Sequence, residues 1–151
     1  MNETCQAVAR RVALKDVAAN RRRGGDIRVV LGPKTAGATS GFLGVLTLAP
    51  GEYVSEHYHP YSEEFLYVTS GSMTVTVDGE PVEVAAEEGV LVPVKARHRV
   101  VNNSDAPATA VFHLSPLAPE PRLGHVDTEE LPHPDAPHPE IDAPHPEIAA
   151  R

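Results

Sequence analysis

Apolar and polar residues alternate along the middle of this chain with a period of two, the spacing of a strand with one buried face. MTVTV at 73–77 shows it most clearly. Asp78-Gly79 then predicts a two-residue hairpin turn, and PVEV at 81–84 returns. IRVVL at 27–31 and FLGVLTL at 42–48 are apolar runs closed by Gly32-Pro33 and Pro50-Gly51. GVLVPV at 89–94, RHRVV at 97–101 and ATAVFHL at 108–114 continue the series, with a turn at Asn102–Asp105. No helical period is sustained; AVARRVALKDVAAN at 7–20 offers at most a short helical turn. Short strands without intervening helices predict an all-β sandwich or barrel over 27–118, preceded by an arm and an arginine-rich loop over 1–26.

From Ser115 onward the pattern stops and Pro, Glu, Asp and His dominate. DAPHPEI at 135–141 is repeated without change at 142–148. Such a segment buries too little apolar surface on its own to offset its ordering entropy. Residues 119–151 are therefore expected to form a disordered or extended, polyproline-like tail.

Composition narrows the reading. Aromatic residues make up 5% and Trp is absent, so the core must be built from Val, Leu and Ala. A single cysteine excludes an internal disulfide and fits a reducing, cytoplasmic setting. The net charge of -8 argues against nucleic acid or an anionic membrane as partner, and no apolar run approaches membrane-spanning length. Positive charge is concentrated early. Arg21, Arg22 and Arg23 form its densest cluster, suited to a phosphate or an acidic surface.

The candidate chemistry lies in Gly51–Gly71, GEYVSEHYHPYSEEFLYVTSG. His57 and His59 are two apart in a strand-like run, so their imidazoles project to one face. Glu64 follows a Pro-containing turn. Neutral imidazoles and a carboxylate are ordinary ligands of a divalent metal. A second motif, P-x4-H-x3-N, places His98 between Pro93 and Asn102.

Together G-x5-H-x-H-x4-E-x6-G and P-x4-H-x3-N resemble the two motifs of the cupin superfamily, the first completely and the second in part. Lys95 and Glu87 stand where cupins usually carry glycine. The resemblance implies a jelly-roll barrel in which His57, His59, Glu64 and His98 bind one metal ion. His113 complicates the fourth position. If the strands around His98 and His113 pair across the Ser104–Asp105 turn, Val111 lies opposite His98 and His113 also points inward. Two ligand sets then compete: three histidines with Glu64, or four histidines with Glu64 behind them as a base. The four-histidine set is the preferred one.

Residues 20–125, above all HYHPYSEEF, resemble the single-domain cupin polyketide cyclases of bacterial aromatic (type II) pathways, of the tetracenomycin and resistomycin kind. That resemblance implies an antibiotic-pathway enzyme that folds a carrier-protein-bound poly-β-ketone by intramolecular aldol condensation and dehydration. The acyl carrier protein and other polyketide synthase components are the implied partners, with Arg21, Arg22 and Arg23 as their contact, and a homodimer is the expected state. Such chemistry needs a polarised ketone, a base such as Glu64, and a chain held in one orientation, which can supply ~7–11 kcal/mol. Leu66, Val68, Leu91 and Val100 are the expected apolar walls. Zinc is the preferred metal because no redox change is required, with Fe, Mn, Ni and Cu as alternatives. An Fe or Cu oxygenase and a non-catalytic binding barrel are the competing functions.

Overall fold

The structure, a computed structural model, describes residues 7–141. Its strands are β1 (Asp26–Leu31), β2 (Phe42–Leu48), β3 (Tyr53–Tyr58), β4 (Glu63–Ser70), β5 (Ser72–Val77), β6 (Glu80–Ala85), β7 (Gly89–Val92), β8 (His98–Val101), β9 (Ala108–Ser115) and the short β10 (Val126–Asp127). A single helical turn, α1, spans Pro33–Ala36. Two five-stranded sheets face each other, in the spatial orders β1-β2-β9-β4-β7 and β10-β3-β8-β5-β6. The arrangement is the all-β sandwich that the alternation predicts, wound as the jelly roll that the cupin resemblance implies, with a Val-, Leu- and Ala-rich core.

Local chemistry sets each strand. The β5–β6 hairpin turns on Asp78 and Gly79, both left-handed at φ 47° and 85°, as a type I′ turn requires. In β4, Glu64, Leu66 and Val68 face inward while Phe65 and Tyr67 face outward. β9 alternates from end to end, with Ala108, Ala110, Phe112 and Leu114 inside. Phe112 meets Phe42 edge to face at 6.3 Å and lies across Gly44 of β2. A Cβ at position 44 would stand 2.3 Å from the Phe112 ring and 2.7 Å from the Arg28 carbonyl oxygen. Gly44→Ala is therefore expected to destabilise the barrel by about 1–3 kcal/mol, read as a lowered urea midpoint; an unchanged midpoint would show that the ring has room to move.

Three expectations are corrected here. β8 and β9 belong to different sheets, so the 102–107 connection crosses the barrel instead of forming a hairpin. Buried Asn102 pins that crossing, donating from Nδ2 to the carbonyls of Leu48 (3.0 Å) and Ala106 (2.8 Å). β9 pairs with β2 and β4, and His113 sits opposite Leu43 and Phe65 on the outer face. His113 therefore does not reach the site, and the four-histidine set is lost. Leu91, likewise, is 49% exposed on the outer face; its neighbour Val92 takes the inner position. With a period of two, one residue of phase decides the face.

The C-terminal segment also differs from expectation. Over 119–141 it is largely without regular structure, apart from a 3-10 turn at Pro121–Leu123 and the short β10, but it is fastened along the barrel. Arg23 donates from Nε (2.8 Å) and Nη2 (3.3 Å) to the two oxygens of Asp127, and Arg99 donates to Glu129. The composition argument weighed the tail alone, whereas the barrel supplies the partners that the tail lacks. The second DAPHPEI unit, 142–148, lies outside the described residues.

Candidate metal centre

His57 of β3, and His59 just beyond its end, reach the interior because that strand carries a bulge. Val54 pairs with Val100 and His57 with His98, so three steps on β3 match two on β8. The extra residue shifts the strand's phase and turns His57 inward after Val54. His59 follows two residues later, and His98 arrives from the start of β8. The three imidazoles are buried, and one nitrogen from each lies within 4.8 Å of the others. Ring centroids stand 4.3 to 5.1 Å apart.

Each ring is oriented by a backbone carbonyl. Nδ1 of His57 meets the oxygen of Ser55 at 2.7 Å, that of His98 meets Ala96 at 3.0 Å, and that of His59 meets Gly124 at 3.0 Å. A carbonyl can only accept, so each Nδ1 carries its proton and each Nε2 presents a lone pair to the centre. Nε2 of His59 and of His98 are buried without a hydrogen-bond partner. Glu64 Oε2 stands 2.7 Å from His98 Nε2 and 4.0 Å from His59 Nε2. The shorter contact lacks hydrogen-bond alignment, which leaves two acceptors facing each other in a buried space. That arrangement needs a cation between them, either a proton or a metal ion. The donor set fits a divalent transition metal.

Charge follows from this crowding. Burial pushes His57 well below its ordinary range, and His98 and His59 add to that. Burial lowers His59 as well, against the pull of Glu64. For His98, burial acts downward, but the Glu64 carboxylate outweighs it and the net shift is upward. Burial would raise Glu64; the three histidines, led by His98, outweigh it and bring the carboxyl down to about 2. Each member of the His98–Glu64 pair thus favours the charged form of the other.

The centre opens into an apolar cavity of about 110 Å³. Leu66, Val100, Phe112 and Leu114 line it from the sheets, while Leu117, Pro121, Pro139 and Ile141 close it from the C-terminal segment. Of the expected walls, Leu66 and Val100 reach the cavity, and Val68 is fully buried in the core away from it. Sequence reasoning missed the contribution of the C-terminal segment, including Gly124 and His125. His125 also lines the cavity; burial, with Arg23 beside it, lowers its imidazole to about 4 and keeps it neutral. No motif flags these positions, because Gly124 acts through its backbone and His125 lies outside both histidine motifs.

Two of the three arginines that the sequence offers as a contact for a partner are engaged within the chain. Arg23 is buried against Asp127, and Arg22 donates to the carbonyls of Pro134 (2.7 Å) and Ala136 (2.8 Å). Gly24 and Gly25, at φ 102° and 70°, let the loop lie flush on the barrel; a Cβ at Gly24 would meet the Tyr53 oxygen at 1.9 Å. Arg21 alone of the three keeps a mostly exposed side chain, 3.5 Å from Asp26.

The fold and the histidine centre are those of a cupin, and the chain belongs to that family: the cupin domain family model (Cupin_2) matches residues 44–114. It is 60% identical to protein SchB of Streptomyces halstedii, over 81% of this chain and 88% of that protein. Identity to the tetracenomycin polyketide synthase protein TcmJ of Streptomyces glaucescens is 49%, over 92% of this chain and 93% of that one. Among solved structures, the polyketide cyclase RemF of Streptomyces resistomycificus superposes with a TM-score of 0.66 at 19% identity, covering 84% of this chain and 90% of RemF. Among the described residues, no helix is long and apolar enough to cross a membrane.

Proposed function

We propose that this protein is a metal-dependent polyketide cyclase, directing the intramolecular aldol condensation of a carrier-protein-bound poly-β-ketone. The observation that carries the reading is the set of buried, unpartnered imidazole nitrogens at the base of an apolar cavity. Full-length similarity to a tetracenomycin polyketide synthase protein supports the substrate class.

His57, His59 and His98 would hold the ion, zinc by preference, with the Glu64 carboxylate beside His98. When bound, the ion supplies Lewis-acid polarisation of a ketone. The protein's own side chains do the rest. Leu66, Val100, Phe112 and Leu114 exclude water and confine the chain, so that one carbon pair meets. Glu64 remains ionised across the physiological range and takes the proton from the carbon between two carbonyls. A carboxylate of such low basicity needs an acidified carbon, and a methylene flanked by ketones provides one. Arg21 is the remaining exposed cation of its cluster for contact with an acidic carrier protein. A homodimer would cover the outer face where Phe65, Tyr67 and Leu91 are nearly half exposed.

The same donor set also suits iron or copper, so an oxygenase is the second reading. Turnover under strict anaerobiosis separates the two. Aldol cyclisation balances without dioxygen, so the cyclase is expected to form the same product at the same rate. Loss of product without oxygen would establish the oxygenase instead.

A further inference from the structure

Six polar side chains line the cavity: His57, His59 and Glu64 of the candidate metal centre, with Ser62, Arg23 and His125. Ser62 donates its hydroxyl proton to the Pro116 carbonyl. Arg23 and His125 keep hydrogen-bonding capacity in reserve. The Arg23 guanidinium meets Asp127 along its Nε–Nη2 edge, at 2.8 and 3.3 Å, and its Nη1 has no partner among the described residues. Nothing among the described residues hydrogen-bonds to either ring nitrogen of His125. Arg23 is only 7% exposed. Burial outweighs the pull of Asp127 and draws its pKa below the ordinary value, so a single carboxylate leaves this charge under-compensated. A guanidinium stays protonated all the same.

Both residues are held against β3, the strand that carries His57. The Ser55 amide donates to the Arg23 carbonyl at 2.9 Å. β10 pairs with β3 so that Asp127 lies opposite His57 and Val126 opposite Tyr58. One step further in that register brings His125 level with His59, whose Nδ1 meets the carbonyl of Gly124. A neutral imidazole offers one donor and one acceptor, and Nη1 offers two donors. Facing an otherwise apolar space, such groups suit an oxygen atom, above all one that carries charge. Oxygens recur on alternate carbons of a poly-β-ketone, so a chain with one oxygen at the histidine centre brings another a few bonds away. Burying that oxygen without a hydrogen bond among Leu66, Val100 and Phe112 costs free energy.

We propose that Arg23 and His125 form a second polar subsite of the cavity, which takes the next carbonyl or enolate oxygen along the chain and thereby sets which carbonyl reaches the histidine centre. The inference rests on the polyketide reading of the cavity and deepens it. Arg23 then has two tasks: one edge fastens the C-terminal segment through Asp127, and the other faces the ligand.

Pentane-2,4-dione and heptane-2,4,6-trione test the subsite, since the second adds one oxygen two carbons further along. Each is titrated by calorimetry into the zinc-loaded full-length protein and into its His125→Phe and Arg23→Lys variants. The parent is expected to bind the trione roughly tenfold tighter or more, as a hydrogen bond to a charged donor allows. In His125→Phe, which keeps the ring and removes its nitrogens, that ratio should fall severalfold, toward one. Arg23→Lys keeps a cation beside Asp127 but loses Nη1, and the ratio should fall there too. A parent ratio near one, or either variant with the parent's ratio, would overturn the subsite and leave the polyketide reading in place. A parent that binds neither probe would overturn both.

Discussion

Replacing His57 by alanine is expected to empty the metal site and end control over cyclisation. His57 is 7% exposed, its Nδ1 is held by Ser55, and among the described residues only His59 and His98 join it in a cluster able to hold a metal. His113, the one candidate substitute the sequence offered, is on the far side of its sheet. Loss of a supporting hydrogen bond typically costs roughly 10–100-fold in metal affinity, and loss of a direct ligand must cost more. The metal-to-protein ratio of the purified variant should therefore fall to background while the circular dichroism of the barrel is retained. The product spectrum of a minimal polyketide synthase should match that obtained with no cyclase added. A variant that keeps its metal would remove His57 from the site.

Glu64→Gln separates the two roles open to this residue. The amide keeps the shape and removes the charge, so a proton acceptor is lost while the cavity is unchanged. The expected outcome is a retained metal ion and cyclisation slowed by ~10²–10⁴-fold, the usual contribution of a positioned acid or base. Loss of metal together with activity would make Glu64 a ligand first and a base second. The variant should also change how the metal-free protein responds to acid. A carboxyl lowered from 4.5 to about 2 on folding contributes stability above 4.5 that is lost as pH falls through about 2. His98 acts in the opposite sense: raised on folding, it contributes below its ordinary 6.5, and that contribution is lost as pH rises through its folded value. Glu64→Gln should weaken both contributions, flattening the acid limb of a denaturation series in chelator.

Much of the barrel was legible because its strands alternate and their turns carry specific residues. FLGVLTL at 42–48 coincides with β2, and Asp78-Gly79 with the left-handed turn it predicts. The convergence of His57 and His59 was legible from their spacing of two. What the spacing could not reveal is the bulge between Val54 and His57, which decides that this face is the inner one.

His113 was misplaced for a different reason. Strand partners across a sandwich are set by the crossing of loop 102–107, and a turn-like Asn-Asn-Ser-Asp looks the same whether it joins neighbours or bridges two sheets. The C-terminal segment escaped because its docking is a property of two parts of the chain. Its carbonyls find Arg22 and Asn20 more than a hundred residues earlier, and in return Gly124 orients His59. An arginine cluster that reads as a contact for a partner is instead, at Arg22 and Arg23, a fastening for the protein's own tail.

The central claim is that the three-histidine centre works by holding a metal ion. Its most direct test compares one preparation in two states, stripped by chelation to background metal and then reloaded with zinc, each added to a minimal polyketide synthase. Reloaded protein is predicted to redirect the products while stripped protein leaves them unchanged. Stripped protein that redirects them equally well would contradict the account.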